Sequence, residues 1–340
     1  MFTLAVDVMG GDLGPHVALR ACKKLLRKRD DVRLVISIVE PLAAEAERLL
    51  GHSDRVRVLP CELEISMDDK PARMLRSGLN STMAAAILEV KSGRAQAVLS
   101  PGNTGALMIL SKHLLKTFDG IERPALATLL PTRNKSLLML DLGANLNVSS
   151  EQLSQFAALG WSWSHLQVAA NPKVGLLNVG KEVTKGTERL QEADQLCRLM
   201  LADDYVGFCE GNDVFDGNLD VLVTDGFVGN VVLKASESMS HWLIGLLNTQ
   251  FSQHWFRRWL APIWYTAIKS IERTIAPARH GGALLLGIDG VVVKTHGSSD
   301  TRTYLHALNY VLEQLSSYNA TTMQQTLNML HEKLQETSSQ

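Results

Sequence analysis

Cysteine is scarce in this sequence, and the patterns that accompany disulfide bonds or structural zinc are missing. The four cysteines, Cys22, Cys61, Cys197 and Cys209, form no C-x-x-C pair and no cluster with histidine. In a chain of 340 residues, scattered cysteines argue against a disulfide framework and against a zinc site. We therefore expect reduced thiols, a cytoplasmic protein and no bound metal.

Long apolar runs, a leader segment and an excess of charge are missing as well. No uninterrupted apolar stretch reaches the roughly 18 residues that a membrane-spanning helix requires. The start, MFTLAVDVMGGD, has no basic segment followed by an apolar run and a cleavage site, so no secretory signal peptide is expected. The 34 Lys and Arg residues balance 35 Asp and Glu. Nucleic acid is therefore not an expected partner, and any anionic ligand must be bound locally.

The short motifs of common nucleotide-binding and hydrolytic enzymes do not occur either. There is no G-x-x-x-x-G-K-[ST], and no G-x-G-x-x-G with a following acid after the first strand, which disfavours an NTPase or a simple nicotinamide dehydrogenase. A G-x-S-x-G elbow and an H-E-x-x-H pair are also missing. The sequence thus offers no evident protein nucleophile, and no cofactor is expected.

What the sequence does contain is a series of short β-type runs, each followed by a glycine-containing turn. Helical patterns such as GPHVALRACKKLLRK and SEQLSQFAALGWSW separate several of these runs. The alternation indicates an α/β fold with a mainly parallel sheet in a three-layer α/β/α arrangement. Ligands of such sheets bind outside the carboxyl ends of the strands. The runs are LAVDVMGGD, AVLSPGNTG, LLMLDLGAN, VGLLNVGKE, VLVTDGFVGN and LLLGIDGVVVKTHGSS.

Polar residues collect in these turns, which predicts an anion site at one edge of the sheet. Backbone N–H groups exposed by glycine, together with the positive end of a following helix, bind phosphate or an oxyanion without a cluster of lysines. In SPGNTGALM we expect Thr104 to be either the N-cap of the next helix or a ligand. The candidates for binding phosphate or substrate are Asp7, Gly10, Gly11, Asp12, Gly102, Asn103, Thr104, Gly105, Asn145, Gly180, Asp225, Gly226, Gly229, Gly297 and Ser298.

In order and spacing, the turn segments resemble the bacterial phosphate acyltransferase family of phospholipid synthesis (PlsX) over about residues 1 to 315. The resemblance implies transfer of a fatty acyl group from acyl carrier protein to inorganic phosphate, on a fold similar to isopropylmalate dehydrogenases and phosphotransacetylases. It also implies a homodimer and a peripheral membrane enzyme whose product passes to a membrane glycerol-3-phosphate acyltransferase. Departures from the family pattern fall at Pro101, 146–148 and Val228. The matching segments include VDVMGGD, MDDKPARMLR, SPGNTGALM, DLGANLNV, NPKVGLLNVGKEVTKG, DGFVGNVVLKASE and GGALLLGIDGVVVKTHGSSD.

Phosphate chemistry suits residues of these types. Much inorganic phosphate is already a dianion at neutral pH, and a thiol is a good leaving group, so direct attack on the thioester needs no metal or acyl-enzyme. We expect Lys185, which matches the family's lysine, to bind phosphate or the oxyanion; the alternative is an exposed loop lysine. Asn230 can donate to the oxyanion or cap a helix. Neutral His296 can donate to phosphate or protonate the departing sulfur, or it is structural.

A second feature is the aromatic segment 239–275, for which we expect a protruding amphipathic helical hairpin. Tryptophan and leucine on one side and arginine on another suit a membrane interface with anionic head groups. A dimer interface is enriched in the same residues, and the two roles are compatible. The residues concerned are Trp242, Leu246, Trp255, Arg257, Arg258, Trp259 and Trp264.

The expected organisation is one phosphate acyltransferase domain over 1–315, made of two interleaved lobes, followed by a polar helical tail over 316–340. Two other functions remain open. The first is a different enzyme on a similar scaffold, either a short-chain phosphate acyltransferase that uses coenzyme A or a metal-dependent 3-hydroxyacid dehydrogenase. The dehydrogenase needs a cluster of acidic side chains to hold Mg²⁺, and Asp12, Asp141 and Asp225 are too far apart in the sequence to indicate one. The second is a non-catalytic membrane scaffold that binds acyl carrier protein.

Overall fold

The fold is a single eleven-stranded sheet with helices on both faces. The computed structural model describes residues 1–70, 73–252 and 281–338. The strands are β1 (Phe2–Asp7), β2 (Val32–Val39), β3 (Val56–Cys61), β4 (Ala97–Ser100), β5 (Ala125–Pro131), β6 (Ser136–Leu140), β7 (Val174–Leu177), β8 (Tyr205–Cys209), β9 (Val221–Val223), β10 (Gly282–Leu286) and β11 (Val291–Thr295). Their order in the sheet is β3-β2-β1-β4-β11-β10-β5-β6-β9-β7-β8.

The helices begin where the sequence supplies capping residues and apolar spacing. In the longest buried helix, Ser149 accepts a hydrogen bond from the N–H of Gln152, whose side chain accepts one from the N–H of Ser149. Such a capping box satisfies N–H groups that have no partner within the helix. The helices are α1 (Pro15–Lys28), α2 (Ala43–Leu50), α3 (Met74–Ser77), α4 (Thr82–Lys91), α5 (Thr104–Leu115), α6 (Ser150–Gln167), α7 (Glu188–Leu201), α8 (Gly226–Ser252), α9 (Thr301–Ser317) and α10 (Ala320–Ser338).

Buried apolar side chains form one cluster on each face of the sheet. Helices α1, α2, α6, α7, α9 and α10 contribute to the first cluster, for example through Leu25 and Phe156. Helices α3, α4, α5 and α8 contribute to the second, for example through Ile87 and Leu107. These two apolar layers enclose a sheet in which seven of the ten strand pairings are parallel. The predicted three-layer α/β/α arrangement is confirmed.

The prediction that all the polar turns lie at one edge of the sheet is wrong. Three consecutive antiparallel pairings, β11 with β10, β10 with β5 and β5 with β6, stand at the centre of the sheet. Strands β6, β9, β7 and β8 therefore run opposite to β1, β2, β3, β4 and β11. The turns after β1, β4 and β11 lie at one edge, and those after β6, β7 and β9 lie at the other.

The C-terminal segment, expected as a polar helical tail, forms a helix that packs against the core. Helix α10 packs against α6 and α7, and its side chains Met323, Leu327 and Leu330 are buried in the first apolar cluster. Polar residues on the outer side of this helix explain the polar composition of the segment. The division of the chain into two interleaved lobes stays a prediction.

The aromatic segment is described only in its first part. Helix α8 carries Trp242 and Leu246, which are exposed. Trp255, Arg257, Arg258, Trp259 and Trp264 lie outside the described residues, so the predicted hairpin stays a prediction. Within the described ranges, no helix combines the length and the apolar character that crossing a membrane requires.

Candidate active site

A cavity of about 340 Å³ is lined by residues of α5, α8, β5, β10 and β11. This volume lies in the range of small-ligand sites. One part of the lining is apolar and comprises Met67, Leu126, Leu142, Leu146, Leu233 and Ala283. The polar part comprises Thr104, Thr128, Asn230, Lys234, Glu237, Lys294, Thr295, His296 and Thr303.

Helix α8 runs along this cavity and contacts the turns after β6 and β11. The helix starts after β9, at the edge where β6 and β7 end, and Asn230 lies in its second turn beside Gly143. One turn later, the Nζ atom of Lys234 lies 3.0 Å from Nε2 of His296, which follows β11 at the other edge. The turn after β6 also lines the cavity, through Leu142, Gly143 and Leu146. Residues that follow oppositely directed strands therefore meet at one cavity.

Lys294 places a buried positive charge at this cavity. Its side chain is only 8% exposed, and Nζ donates hydrogen bonds to the carbonyl oxygens of Pro101, at 3.0 Å, and Thr295. The pKa of Lys294 is lowered to about 8, mainly by burial and also by the charge of Lys234, while Asp12 and Asp7 oppose the shift. The ammonium form therefore predominates at neutral pH.

His296 is held as a neutral imidazole between a hydroxyl and an ammonium group. Its Nδ1 lies 2.8 Å from Oγ of Ser298, and its Nε2 faces Nζ of Lys234. Burial lowers the pKa of His296, and the charges of Lys234 and Lys294 lower it further. Nδ1 also accepts a hydrogen bond from the backbone N–H of Ser298 at 3.2 Å, so this nitrogen carries a lone pair rather than a proton. Lys234 also forms an ion pair with Glu237 at 2.8 Å.

The turn after β1 supports the cavity without lining it. The buried carboxylate of Asp7 accepts hydrogen bonds from Oγ of Ser100, at 2.7 Å, and from the N–H of Met9, at 3.1 Å. Burial raises the pKa of Asp7 to about 6. A Cβ on Gly10 would lie 2.8 Å from Cα of Gly102, so these turns touch through their backbones.

The turn after β11 is hydrogen-bonded to the turn after β1. The N–H of Asp12 donates to the carbonyl oxygen of Gly297 at 2.8 Å. Gly11 and Gly297 border a small depression beside the cavity, and Gly297 also lines the cavity itself. The turns after β1 and β11 thereby fix the position of His296.

Asn103, rather than Thr104, is the N-cap of α5. Its Oδ1 accepts from the N–H of Ala106 at 3.1 Å, and its Nδ2 donates to the carbonyl oxygens of Met67, at 2.9 Å, and Asp69, at 3.2 Å. Of the two alternatives for Thr104, the N-cap is therefore wrong, and the role as a ligand stays a prediction. Thr104 and Gly105 form the first turn of α5, and Thr104 lines the cavity.

At the edge where β6 and β9 end, the predicted binding residues form hydrogen bonds around the N-terminus of α8. Asn145 donates from Nδ2 to the buried carboxylate of Asp141 at 2.9 Å and to the carbonyl oxygen of Pro124 at 2.8 Å. Asp225 accepts from the N–H of Val228 at 2.9 Å and pairs with Arg189 at 2.8 Å. None of Asn145, Asp225, Gly226 and Gly229 is among the lining residues described for the cavity.

Lys185 and Gly180 are not brought to the cavity in the described part of the chain. Both lie in the loop between β7 and α7, where Lys185 is exposed and its carbonyl oxygen accepts from Nδ2 of Asn178 at 3.1 Å. The catalytic role of Lys185 stays a prediction.

Two lysines of the cavity, Lys234 and Lys294, were missed in the sequence. Lys294 lies two residues before His296, and residues at this spacing share one face of a strand. Lys234 lies four residues after Asn230, which places both on one face of a helix. A lysine within the apolar run VVVK and this helical spacing were the available signals.

Comparison with known proteins gives the family. The sequence profile of the family described as "Fatty acid synthesis protein" matches residues 2–320. The chain belongs to this family. It is 42% identical to "Phosphate acyltransferase" of Delftia acidovorans, over 91% of this chain and 89% of that protein. It is 42% identical to the protein of the same name from Shewanella woodyi, over 92% of each chain. Identity to that of Cellvibrio japonicus is 38%, over 92% of this chain and 94% of the relative.

Solved structures share the fold at low sequence identity. A phosphotransacetylase from Streptococcus pyogenes superposes with a TM-score of 0.62 at 14% identity, over 96% of this chain and 94% of that chain. The EutD phosphotransacetylase from Staphylococcus aureus gives 0.58 at 14% identity with the same coverage. The predicted likeness to phosphotransacetylase folds is confirmed. Among the described residues, no group of three or more His, Cys, Asp or Glu side chains is placed to hold a metal ion.

Proposed function

We propose that the protein transfers a long-chain acyl group from acyl carrier protein to inorganic phosphate, giving acyl phosphate for phospholipid synthesis. The observation that carries this proposal is the cavity itself, in which Lys234, Lys294 and His296 stand beside an apolar lining. Membership of the phosphate acyltransferase family supports the same reaction.

The polar part of the cavity suits phosphate. The ammonium groups of Lys234 and Lys294 attract a dianion. Among the lining residues described, Glu237 is the one carboxylate, and it is paired with Lys234. Charge-assisted hydrogen bonds from such groups are about twice as strong as neutral ones. Phosphate bound there is the proposed nucleophile.

In the proposed reaction, a phosphate oxygen forms a bond to the thioester carbonyl carbon, and the carbon–sulfur bond breaks to release the thiolate. Negative charge develops on the carbonyl oxygen in between. Asn230 has an exposed side chain on the cavity wall, and its amide group makes no hydrogen bond within the described residues. Its amide is therefore available to the oxyanion, and one such donor contributes about 10²- to 10³-fold in rate. The apolar lining holds the acyl chain and limits water, which would hydrolyse the product.

The choice of donor is tested by steady-state release of free thiol as phosphate is titrated. We expect phosphate-dependent release from a long-chain acyl carrier thioester, and a much lower kcat/KM with acetyl or butyryl coenzyme A. The reverse preference would favour the short-chain transferase. Binding of the carrier without phosphate-dependent release would favour the non-catalytic scaffold.

The outer side of α8 supports a proposal about assembly. Six exposed apolar side chains lie within an arc of about 120° at 3.6 residues per turn, and an exposed stripe of this kind marks a surface that contacts a partner or a membrane. We propose that a homodimer uses it and contacts the membrane surface, where the product passes to a membrane glycerol-3-phosphate acyltransferase. The six are Phe227, Val228, Val231, Met239, Trp242 and Leu246.

This assembly is tested with Trp242→Gln, since Trp242 is 62% exposed. We expect the variant to dissociate at higher protein concentration in analytical ultracentrifugation, or to float less with anionic vesicles, because apolar area is lost from the stripe. Wild-type behaviour in both measurements would exclude Trp242 from both contacts.

A further inference from the structure

Helix α1 carries an unusual concentration of positive charge for a chain that is nearly neutral. Its 14 residues include two arginines and three lysines and no acidic residue. Four of these side chains are exposed and lie within an arc of about 100° at 3.6 residues per turn. This surface, called the α1 basic face, consists of Arg20, Lys24, Arg27 and Lys28.

The charges of this face are not neutralised within the described ranges, where none of the four side chains forms a salt bridge or a hydrogen bond. The nearest acids in sequence are engaged elsewhere: Asp31 pairs with Arg29 at 2.6 Å, and Asp30 lies 3.7 Å from Arg55. Across the groove to α2, Glu45 lies 3.9 Å from His16. The α1 basic face is therefore available to an external anion.

Stabilisation of the helix explains only part of this pattern. Arg27 and Lys28 lie in the last turn of α1, where positive charge interacts favourably with the helix dipole. Arg20 and Lys24 lie in the middle of the helix, where this effect is small. Their repeated like charge at four-residue spacing costs a few tenths of a kcal/mol in an isolated helix, so its presence points to a role in binding.

The position of α1 connects this face to the cavity. Leu13 and Val17, just before and within the first turn of α1, border the depression that His296 and Gly297 also line. His296 and Gly297 line the cavity too. Arg20 lies about 8 Å along the axis of α1 from Pro15, the first residue of the helix, at a rise of 1.5 Å per residue. The N-terminal end of α1 therefore lies beside the turn that carries His296, although α1 and the cavity lie on opposite faces of the sheet. A flexible arm of a partner bound on α1 would reach the cavity around this end of the helix.

We propose that the α1 basic face is the docking surface for the acidic carrier protein that brings the acyl thioester to the cavity. This inference rests on the proposed function. An acidic partner on α1 would place its flexible thioester-bearing arm at the turn containing His296. Complementary charge of this kind steers encounter and fixes orientation.

A membrane is the other anionic surface that α1 would attract, and the packing of α1 disfavours it. The apolar side chains of α1, including Leu19, Leu25 and Leu26, are buried in the core. Helices that lie in a membrane interface insert an apolar face. The α1 basic face has none to insert, which favours a folded protein partner.

The test compares Arg20→Glu/Lys24→Glu with a control of equal charge change, Lys91→Glu/Lys112→Glu, at exposed lysines near the ends of α4 and α5. We expect the α1 variant to raise KM for the long-chain acyl carrier thioester about tenfold or more, with kcat within about twofold, and to flatten the salt dependence of kcat/KM. With the neutral N-acetylcysteamine thioester of the same acyl chain, both variants should match the wild type.

Several results would overturn the docking proposal. An unchanged KM for the carrier would do so, as would equal losses with both thioesters, which would indicate a damaged cavity. Loss of binding to anionic phospholipid vesicles, with KM for the carrier unchanged, would assign the face to lipid. If the wild type releases no thiol from either donor, the proposed function fails. The docking proposal is then decided by fluorescence anisotropy of labelled acyl carrier, where the α1 variant must bind at least about tenfold more weakly than the control.

Discussion

Replacing Lys294 by methionine is expected to lower kcat/KM for phosphate about 100- to 1000-fold. Two unit charges 4 Å apart interact by about 4 kcal/mol at an effective dielectric constant near 20, which corresponds to roughly three powers of ten. Lys294 is the most buried cation of the cavity described here, at 8% exposure. Solvent therefore screens its charge least. Loss of this charge should weaken phosphate binding and slow the attack of phosphate on the thioester.

The same substitution should leave the fold intact. Methionine keeps an unbranched apolar stem, and removing an ammonium group whose pKa is depressed to about 8 relieves a burial penalty. The carbonyl oxygens of Pro101 and Thr295 lose a donor in return. We expect the free energy of unfolding in urea to change by less than about 2 kcal/mol. Lys112→Met, at an exposed position on α5, serves as the matched control with wild-type kinetics.

The dependence of kcat/KM on pH tests independently whether the charge of Lys294 is needed. In the wild type, kcat/KM for phosphate should rise as phosphate becomes a dianion. It should then fall as the pH increases past about 8, since Lys294 loses its proton and its charge there. The alkaline fall should be missing in Lys294→Met. An unchanged profile and a loss of less than about threefold in kcat/KM would remove Lys294 from the phosphate site.

The second large effect is expected from Gly229→Ala. A Cβ at this position would lie 1.9 Å from the carbonyl oxygen of Asp141, closer than two non-bonded atoms can approach. Helix α8 would have to move away from the turn after β6. Since Asn230 is the next residue, the oxyanion donor would move with it. We expect a loss of more than about 3 kcal/mol in the free energy of unfolding, or a folded protein with little activity.

Gly245→Ala on the same helix is the matched control. Nothing lies within 4 Å of a Cβ at Gly245, so this change should stabilise the protein by about 0.5 to 1 kcal/mol through helix propensity. Urea denaturation and thiol release on both variants give the comparison. Stability of Gly229→Ala within about 1 kcal/mol of the wild type, with full activity, would contradict the close approach of α8 and the β6 turn.

Local sequence patterns were sufficient for the layers of this fold but not for the direction of its strands. The alternation of apolar runs and amphipathic helices predicted the three layers. The run LLLGIDGVVVKTHGSS was treated as one unit, whereas it contains β10 and β11, which pair antiparallel. Strand β5 was not recognised, and its hairpin with β6 reverses the chain direction. Such pairings depend on contacts between distant segments, which periodicity does not contain.

The site was predicted in part for a related reason. The glycine-bounded turns predicted that site residues lie in loops. Four residues found in this way line the cavity: Thr104, Asn230, His296 and Gly297. Many other polar residues in those turns cap helices or bind backbone groups, a role that turn chemistry favours equally. Lys234 and Lys294 lie inside a helix and a strand, where a search of turns does not find them.

The central claim is that phosphate, bound beside Lys294, itself displaces sulfur from the acyl thioester. The most direct measurement is rapid-quench thiol release from a long-chain acyl carrier thioester in excess over enzyme, with phosphate present and with phosphate omitted. Direct attack predicts no thiol release above background without phosphate and a steady release with it. A burst of thiol equal to the enzyme concentration without phosphate would demonstrate an acyl-enzyme and contradict the claim.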